Sequence, residues 1–365
     1  MIDIYGTLGP ACADRKILGE MLSLGMTGMR LNLSHMTLPE AAPMIRLLKD
    51  AAGDAGVRPQ LLIDMQGPEL RTGALPEPLG LEEGTTVCLS CTRTPARNLS
   101  GGRSPVQKMP QIPVPASVLS ALTPGQEMLL DDGKLLLKVT EISCRGNDLP
   151  ASCPHDRERP PVSSASAEVL RGGTLRSRKS IALPGISIHT PTMTETDREN
   201  IRLAKDYGVT GVMQPFVRDR QDLETVRAAL DASGAREIRL FAKIENLEGL
   251  SNLSALIPAC DEIVIARGDL GNAMPLWDLP RAQKEIEMKC REAGRPFMVV
   301  TQMLASMEHS PVPTRAEVSD IFNAVCDGAA SVMVTGETAV GDYPVEAIRY
   351  LSNTAASALR YLETL

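Results

Sequence analysis

The chain contains few aromatic residues and no excess of positive charge. Its 365 residues include one Trp, five Tyr and four Phe, and 38 Lys and Arg stand against 45 Asp and Glu, which gives a formal net charge of −7. Proteins that bind single-stranded nucleic acid stack bases on aromatic side chains, and anionic membranes attract basic surfaces. We therefore expect neither nucleic acid nor a membrane to be a partner of this chain.

Long apolar runs and dense cysteine spacing are also absent. No stretch approaches the roughly 18 consecutive apolar residues that a membrane span requires, and the first residues lack the basic and apolar segments of a signal peptide. The 8 cysteines are spread along the chain, unlike those of a small disulfide-rich secreted protein. These absences predict a cytoplasmic protein with reduced thiols.

The common nucleotide-binding signatures do not occur either. The sequence contains no G-x-x-x-x-G-K-[ST], and no G-x-G-x-x-G follows an apolar run, so that neither a P-loop nor a dinucleotide-binding turn is expected. A zinc site is conceivable, because Cys88 and Cys91 form C-x-x-C, and Cys144, Cys153 and His155 lie in the same central region. However, the segment around Cys88 is typical of a strand, on which the two cysteines of the C-x-x-C would face opposite sides, and this disfavours zinc.

Short apolar runs alternate with helical stretches along most of the chain. The predicted strands are 2–8, 28–33, 60–64, 210–216, 237–244, 262–266, 296–301 and 331–335. The predicted helices are 14–24, 39–52, 195–207, 222–230, 281–293, 315–326 and 344–362. Apolar strands separated by helices favour a parallel sheet, and eight such units form a (β/α)8 TIM barrel. An open doubly wound sheet has the same local pattern, but polar residues follow nearly every strand, and this favours the closed barrel.

The alternation stops after the third predicted strand. From 74 to 178 the sequence is rich in Pro, Gly, Ser and Thr, with β-like runs at 86–90, 127–130 and 134–139. We therefore predict an α/β chain in which 1–73 and 179–365 form the barrel and the catalytic domain. Residues 74–178 would form an inserted β-rich lid domain with a β-barrel-like fold.

Polar residues alternate with leucines on the second predicted strand. Arg30, Asn32 and Ser34 are spaced two residues apart and would project to one side, toward the barrel mouth. The planar fork of an arginine suits phosphate, and the neutral oxygens of Asn and Ser suit a hard cation. Asp64, at the end of the next strand, would add a negative charge. This pattern predicts a site for phosphate and a cation.

A second polar group follows the later strands. Lys243 and Glu245 are two residues apart and would project together, and Asp269 comes just after the following strand, next to Gly268. Carboxylates from adjacent strands suit a divalent cation such as Mg²⁺, and a lysine beside them would stabilise negative charge on phosphoryl oxygens. The glycine would let backbone N–H groups approach an anion. Thr301, at the end of the seventh strand, could bond a substrate oxygen or take part in a proton relay.

These motifs, taken together, resemble those of the pyruvate kinase family, and they occur in the family's order along nearly the whole chain. They are GTLGP (6–10), MRLNLSH (29–35), GPELRTG (67–73), DDG (131–133), LPG (183–185), AKIEN (242–246), ARGDLG (266–271), TQML (301–304), PTRAE (313–317) and GET (336–338). The resemblance implies a barrel enzyme that transfers the phosphoryl group of phosphoenolpyruvate to ADP and then protonates the enolate to pyruvate.

The resemblance also implies roles for the matching residues. Arg30, Lys243 and Thr301 would be catalytic, with Arg30 and Lys243 on the phosphoryl group and Thr301 near the enolate. The backbone of Gly268 and Asp269 would receive the substrate carboxylate. The implied cofactors are Mg²⁺ (or Mn²⁺) and K⁺, and Glu69 resembles the glutamate of the K⁺-dependent branch of the family.

Further implied contacts concern the cations and the nucleotide. Mg²⁺ would bind Glu245 and Asp269. K⁺ would bind Asn32, Ser34, Asp64 and the carbonyl of Met65. The nucleotide and its cations would face Thr7, Pro10, Asn32, His35, Arg71 and Lys179.

The sequence departs from the family pattern in several places. Met65 and Gln66 stand where the family usually has Thr-Lys, which removes a charge near the nucleotide, and Gln214 and Pro215 replace a small residue and a serine. The family's C-terminal regulatory domain has no counterpart in these 365 residues, so we expect no activation by sugar phosphates. A homodimer through the barrel helices is a further expectation.

The sequence leaves three functions open. The first is pyruvate kinase activity, favoured because every phosphoryl and cation residue of the family is present. The second is a related phosphotransferase with another acceptor, or a Mg²⁺-dependent pyruvate-type lyase, although a lyase would not need the K⁺ ligands or the lid. The third is a non-catalytic sensor of phosphoenolpyruvate or nucleotide, which the substitutions near the nucleotide leave open.

Overall fold

The computed structural model describes residues 2–34, 36–91, 109–144, 162–186, 188 and 190–364. The chain divides into two compact units, one made of Met1–Pro68 and Pro191–Leu365 and the other of Glu69–Thr190. Each unit has an apolar core of its own.

The secondary structure alternates as predicted outside the second unit. The strands are β1 (Asp3–Thr7), β2 (Gly28–Asn32), β3 (Gln60–Asp64), β4 (Leu79–Leu81), β5 (Thr86–Ser90), β6 (Gln111–Pro113), β7 (Glu127–Leu130), β8 (Leu135–Cys144), β9 (Val162–Arg171), β10 (Gly173–Leu175), β11 (Ile181–Ala182), β12 (Gly211–Gln214), β13 (Arg239–Ile244), β14 (Glu262–Ala266), β15 (Phe297–Val300) and β16 (Ser331–Met333). The helices are α1 (Arg15–Ser23), α2 (Leu38–Ala55), α3 (Ala116–Ala121), α4 (Glu195–Tyr207), α5 (Arg220–Ala232), α6 (Leu247–Ser251), α7 (Leu253–Leu256), α8 (Arg267–Asn272), α9 (Leu279–Glu292), α10 (Arg315–Cys326), α11 (Gly336–Ala339) and α12 (Pro344–Leu362).

The strands of the first unit close into a barrel. Within the described residues, their order around the barrel is β1, β16, β15, β14, β13, β12, β3 and β2, and every neighbouring pair is parallel. The predicted (β/α)8 barrel is therefore confirmed over the open sheet. Because β3 and β12 are neighbours in the barrel, the Glu69–Thr190 unit is inserted in the sequence between the third and fourth barrel strands.

Successive side chains of a barrel strand face opposite sides, and this alternation decides which residues reach the interior. On β13, Leu240, Ala242 and Ile244 belong to the apolar layer under the helices. Phe241 belongs to the separate cluster inside the barrel, which also contains Tyr5, Leu62, Met213, Val264, Met298, Val300 and Met333. Lys243 is two residues after Phe241 and so also faces the interior, nearer the C-terminal end of the strand than this apolar cluster.

The helices of the barrel begin at capping residues that the sequence supplies. Thr37, Thr194 and Thr314 each accept a backbone N–H of the first helical turn, and an acidic residue three positions later returns a bond to the backbone of the threonine. Such capping boxes satisfy donors that a helix start leaves without a partner. They fix the starts of α2, α4 and α10 and with them the loops that enter these helices.

The second unit is built from antiparallel and parallel strands around its own core. Its larger sheet has the order β11, β7, β8, β9, β5 and β6, and β10 pairs with β4. The core includes Val87, Leu89, Met128 and Leu137, all fully buried. This β-rich unit confirms that a second, sheet-containing domain is present.

The second barrel strand, β2, ends one residue earlier than predicted. β2 ends at Asn32 and Ser34 lies in a turn, so the expectation that Ser34 projects from the same strand as Arg30 is wrong. The reason is local: the Asn32 side-chain oxygen accepts the Ser34 backbone N–H at 3.0 Å and draws the chain out of the strand. In the C-x-x-C motif, Cys88 lies on β5, as the strand pattern predicted, and Cys91 is the first residue after that strand.

Metal clusters and membrane-spanning helices can be assessed for the described residues alone. No group of three or more His, Cys, Asp or Glu residues in the described ranges is placed to hold a metal ion. Cys153 and His155 lie outside those ranges. None of the helices in the part of the chain that the structure describes is long and apolar enough to cross a bilayer.

Candidate active site

Four charged side chains meet toward the C-terminal ends of β2, β3 and β13. Arg30 bonds Asp64 through Nε at 2.8 Å and pairs with it through Nη2 at 2.7 Å. The Lys243 ammonium lies 3.1 Å from the same Asp64 oxygen and 2.8 Å from Glu245 Oε1. The two carboxylates are only 3% and 1% exposed, and the two cations are 14% and 12% exposed. The structure thus brings these four residues, which the sequence analysis placed in two polar groups, into direct contact.

Strand register brings this cluster together. β2 and β3 pair so that Asn32 lies beside Asp64, which puts Arg30 and Asp64 on neighbouring strands of the barrel wall. Asp64 follows interior-facing Leu62 by two residues, as Lys243 follows Phe241. An apolar interior below and charged residues above are the usual arrangement of a (β/α)8 active site, which lies at the C-terminal face of the barrel.

Opposite charges nearby favour the ionised forms of Asp64 and Lys243. Burial raises the pKa of Asp64, but the Lys243 and Arg30 cations outweigh burial and hold that pKa below its ordinary value. Burial lowers the pKa of Lys243, but the negative charges of Asp64 and Glu245 outweigh burial and hold it above its ordinary value. The Lys243 ammonium and the Arg30 guanidinium therefore rest on the buried carboxylates of Asp64 and Glu245.

Glu245 is fixed by the neighbouring loop as well as by Lys243. Its Oε2 accepts the backbone N–H of Phe216 at 2.7 Å. Phe216 comes two residues after β12 and has a φ of 51°, in the left-handed region that a bulky residue rarely adopts. The strained turn thus presents an N–H to the carboxylate. Nothing in the sequence Gln214-Pro215-Phe216 signals this contact, because it depends on the fold.

The turn that follows β3 is held by a residue that the sequence reading did not single out. Asp197, fully buried, accepts the backbone N–H groups of Gln66 at 2.8 Å and Gly67 at 3.0 Å. It also accepts the backbone N–H and the hydroxyl of Thr194, both at 2.8 Å. One carboxylate therefore caps α4 and shapes the chain directly after Met65. The T-x-x-D spacing of a capping box was a visible signal for the first role only.

Three of the remaining predicted residues of the first unit, Thr7, Pro10 and Met65, come at or soon after the end of a barrel strand. Thr7, at the end of β1, accepts a bond from Arg30 Nη1 at 3.5 Å and donates through its hydroxyl to the carbonyl of Val334 at 3.1 Å. Met65 is buried, and Pro10 is exposed. His35 lies outside the described residues.

Thr301 lies directly against Gly268. A Cβ placed on Gly268 would be 3.0 Å from Thr301 Cγ2 and 3.7 Å from Thr301 Oγ1. The glycine therefore allows the threonine side chain to rest on the first turn of α8, beside Asp269. The ends of the sixth and seventh barrel strands therefore meet in this contact.

Arg71 and Lys179 belong to the second unit, and each forms an ion pair with an acidic residue of that unit. Arg71 forms a two-pronged pair with Glu69, at 2.9 Å from Nε and 2.7 Å from Nη2, and donates to the carbonyl of Arg178 at 2.9 Å. The Lys179 ammonium is 2.8 Å from Asp131.

Comparison with known proteins places these features in a family. The family model described as the barrel domain of pyruvate kinase matches residues 1–348. The chain is 34% identical over 361 residues to a pyruvate kinase of Bacillus licheniformis, covering 97% of the chain and 56% of that protein. It is 34% identical to one of Geobacillus stearothermophilus, covering 99% of the chain and 57% of the relative.

A third relative is matched over more of its length. The chain is 33% identical over 364 residues to a pyruvate kinase of Aeropyrum pernix, covering 100% of the chain and 72% of that protein. Against the two bacterial relatives above, the chain spans only a little more than half of their length.

Proposed function

Because the chain belongs to the pyruvate kinase family, we propose that it transfers a phosphoryl group from phosphoenolpyruvate to ADP. The observation that carries the proposal is the buried cluster of Arg30, Asp64, Lys243 and Glu245. Phosphoryl transfer needs little covalent help from a protein and depends on fixed positive charge placed where the oxygens become negative. Arg30 and Lys243, held in place by the buried carboxylates of Asp64 and Glu245, supply such fixed positive charge.

In this proposal Arg30 and Lys243 bind the phosphoryl oxygens throughout the transfer. The bond between phosphorus and the enol oxygen breaks, and a bond forms to a terminal oxygen of ADP. Because Asp64 and Glu245 already hold the two cations in place, little reorganisation is needed when charge develops. The backbone at Gly268 and Asp269 would receive the substrate carboxylate, and the Thr301 hydroxyl would hold the proton that the enolate carbon gains.

The residues present fit the cations that the family requires. Glu245 and Asp269 supply carboxylate oxygens from neighbouring strand ends, and Asn32, Ser34, Asp64 and Met65 supply an oxygen set of mixed charge, which suits hard cations. Mg²⁺ at the first pair would neutralise phosphoryl oxygens, and K⁺ at the second set would complete the charge balance.

Several finer assignments are part of the same proposal. Thr7, Pro10, His35, Arg71 and Lys179 would face the nucleotide. Residues 74–178 would act as a lid domain, the catalytic domain would comprise 1–73 and 179–365, and the protein would work in the cytoplasm. The family resemblance supports these assignments. A homodimer through the barrel helices belongs to the same proposal.

The test is an assay that couples pyruvate formation to lactate dehydrogenase, with phosphoenolpyruvate, ADP, Mg²⁺ and K⁺. We expect turnover, and we expect Lys243→Met to lower kcat by about 10²–10³-fold because a charge acting in the transition state is lost. Lys284→Met is the matched control, since Lys284 forms ion pairs with Glu287 and Asp327 on the outer helices. Replacing K⁺ by tetramethylammonium should abolish most of the activity.

Other outcomes would point elsewhere. Absent turnover together with binding of phosphoenolpyruvate would favour the non-catalytic sensor. Transfer of the phosphoryl group to an acceptor other than ADP would favour the related phosphotransferase. Decarboxylation of oxaloacetate without kinase turnover would favour the lyase. Unchanged activity with tetramethylammonium would overturn the proposed role of Asn32, Ser34 and Asp64 in holding K⁺.

A further inference from the structure

Thr301 and Gln302 have backbone conformations that their side chains disfavour. Their φ angles are 79° and 56°, in the left-handed region. A β-branched residue such as threonine is a clear outlier there, and such strain persists only where surrounding contacts enforce it. β15 ends at Val300, so the strained pair begins directly after the strand. Some contact in this part of the barrel must therefore hold the chain in this shape.

The side chain of Arg267 makes that contact. Arg267 Nε and Nη2 both donate to the carbonyl oxygen of Thr301, at 3.1 and 2.8 Å. Nη2 also lies 3.0 Å from Met303 Sδ, so that one guanidinium spans the whole turn. The side chain is only 11% exposed. A planar guanidinium can make this two-pronged contact, whereas the ammonium of lysine cannot.

The register of the barrel explains why these two residues meet. Ala266 on β14 pairs with Val300 on β15, so Arg267 and Thr301 are the first residues beyond a paired position. Arg267 is oriented in turn by Asp320 of α10, which it contacts through Nη1 at 2.9 Å. The contacts thus run from α10 through Arg267 to the backbone of Thr301.

The neighbouring residue completes the arrangement on the side-chain end. Because Gly268 has no Cβ, the methyl group and hydroxyl of Thr301 can rest on the start of α8. Arg267 therefore fixes the carbonyl of Thr301 while Gly268 makes room for its side chain. Two consecutive residues of one motif thus set the backbone and the side chain of Thr301, just after the next strand.

We propose that Arg267, oriented by Asp320, is a positioning residue that holds Thr301 in its strained conformation and so aims the Thr301 hydroxyl at the reacting substrate. The inference rests on the proposed function for its kinetic consequence. Arg267 does not act on the substrate, so its contribution to turnover passes through Thr301. Misplacement of a reacting group by about 1 Å can cost about 10²-fold in rate.

A double-mutant cycle tests this dependence. We expect Arg267→Lys to lower kcat by about 10–100-fold in the otherwise natural chain, with a smaller change in KM for phosphoenolpyruvate. In a Thr301→Ala background, which keeps the carbonyl but lacks the hydroxyl, the same substitution should change kcat less than about threefold. Asp320→Asn, which leaves the guanidinium in place, should give an intermediate loss.

Arg227→Lys is the matched control. Arg227 also donates to a backbone carbonyl, that of Ile238 at 2.9 Å, and also pairs with a carboxylate, that of Asp261 at 2.7 Å, but at the N-terminal ends of β13 and β14. It should leave kcat within about twofold of the natural chain. Equal losses from Arg267→Lys in both backgrounds, or a loss no larger than that of Arg227→Lys, would overturn the proposal.

A second readout separates this inference from the proposed function. If the natural chain shows no kinase turnover, the function fails, and the position of Thr301 is then read from the NMR signal of its methyl group. The signal should shift or broaden in Arg267→Lys and stay in place in Arg227→Lys. An unchanged methyl signal in a folded Arg267→Lys variant would overturn the inference whatever the activity.

Discussion

At the scale of single residues, the site depends on where a charge is buried as much as on which residue carries it. Asp64 and Asp54 each form a two-pronged contact with an arginine. The Asp64 side chain is 3% exposed and holds a second cation, whereas Asp54 is 60% exposed and pairs with Arg15 on the surface. The same local chemistry therefore has different consequences, because water screens the exposed pair and cannot screen the buried one.

The substitution Asp64→Asn should destabilise the protein strongly. It leaves Arg30 and Lys243 buried with Glu245 as the remaining acidic partner of the cluster, and breaking a buried ion pair from one side costs about 3–5 kcal/mol. Unfolding in urea, followed by circular dichroism, would measure the free energy of unfolding. The matched variant Asp54→Asn should be nearly neutral. Equal effects of the two substitutions would contradict the buried-charge argument.

The stability that Asp64 contributes should fall as the solution is acidified. The pKa of Asp64 is held below its ordinary value in the folded protein, so its stabilising contribution is present above the unfolded pKa of about 3.9 and is lost as pH falls through the folded value. The difference in unfolding free energy between the natural chain and Asp64→Asn should thus be constant from pH 7 to about 5 and shrink below about pH 4. A difference that grows on acidification would have the wrong sign.

At the scale of elements, loops that follow the strands are tied to one another by buried acidic side chains. Asp197 holds the turn after β3 from the start of α4. Glu337 accepts the backbone N–H groups of Leu304 at 3.1 Å and Thr335 at 2.6 Å, and so joins the loops that follow β15 and β16. Each carboxylate accepts N–H groups from a second loop, so that the position of one loop fixes that of the next.

Asp197→Asn should test this coupling. An asparagine directs an NH₂ group at backbone N–H donors that the carboxylate accepts, and a buried donor without an acceptor costs about 1–3 kcal/mol each. We expect a loss of about 2–4 kcal/mol in unfolding free energy and a weaker response of activity to K⁺, because the chain after Met65 loses its support.

Glu40→Gln provides the comparison for that substitution. Glu40 is exposed and closes the capping box of α2 without holding a second loop. It should change stability far less than Asp197→Asn, and leave the K⁺ response unaltered. If both variants behaved alike, Asp197 would be an ordinary helix cap.

The barrel strands and the longer helices were predictable from sequence, whereas the contacts between their ends were not. Apolar spacing located every barrel strand, because that signal is local. The strained backbone at Phe216 and Thr301 and the role of Arg267 had no local signal. They arise where residues distant in sequence meet at the ends of paired strands. For the same reason Ser34 was misplaced: periodicity shows where a strand could continue, and a side-chain bond from Asn32 ended it.

At the scale of the whole molecule, the chain contains two units with separate cores. Leu240 lies in the core of the barrel unit and Leu137 in that of the Glu69–Thr190 unit, and both are fully buried. A compact unit with its own core can unfold as a unit.

Calorimetry should therefore resolve two unfolding transitions. Replacing a buried leucine by alanine costs about 2–5 kcal/mol, so Leu137→Ala should lower the temperature of one transition and Leu240→Ala that of the other. Both substitutions are made in the full chain. A single transition that both variants lower equally would show that the units unfold together.

The closure of the barrel also bears on how the protein is made. Thr7 on the first strand exchanges hydrogen bonds with Thr338, which is 331 positions later: its N–H donates to the Thr338 hydroxyl at 2.8 Å, and that hydroxyl donates to its carbonyl at 3.0 Å. A ribosome adding about 5–20 residues per second needs roughly 15–65 s to cover that distance. During this time β1 has an unpaired edge, and an unpaired edge can pair with other chains. The newborn chain thus exposes an edge that other chains could pair with until its last barrel strand emerges.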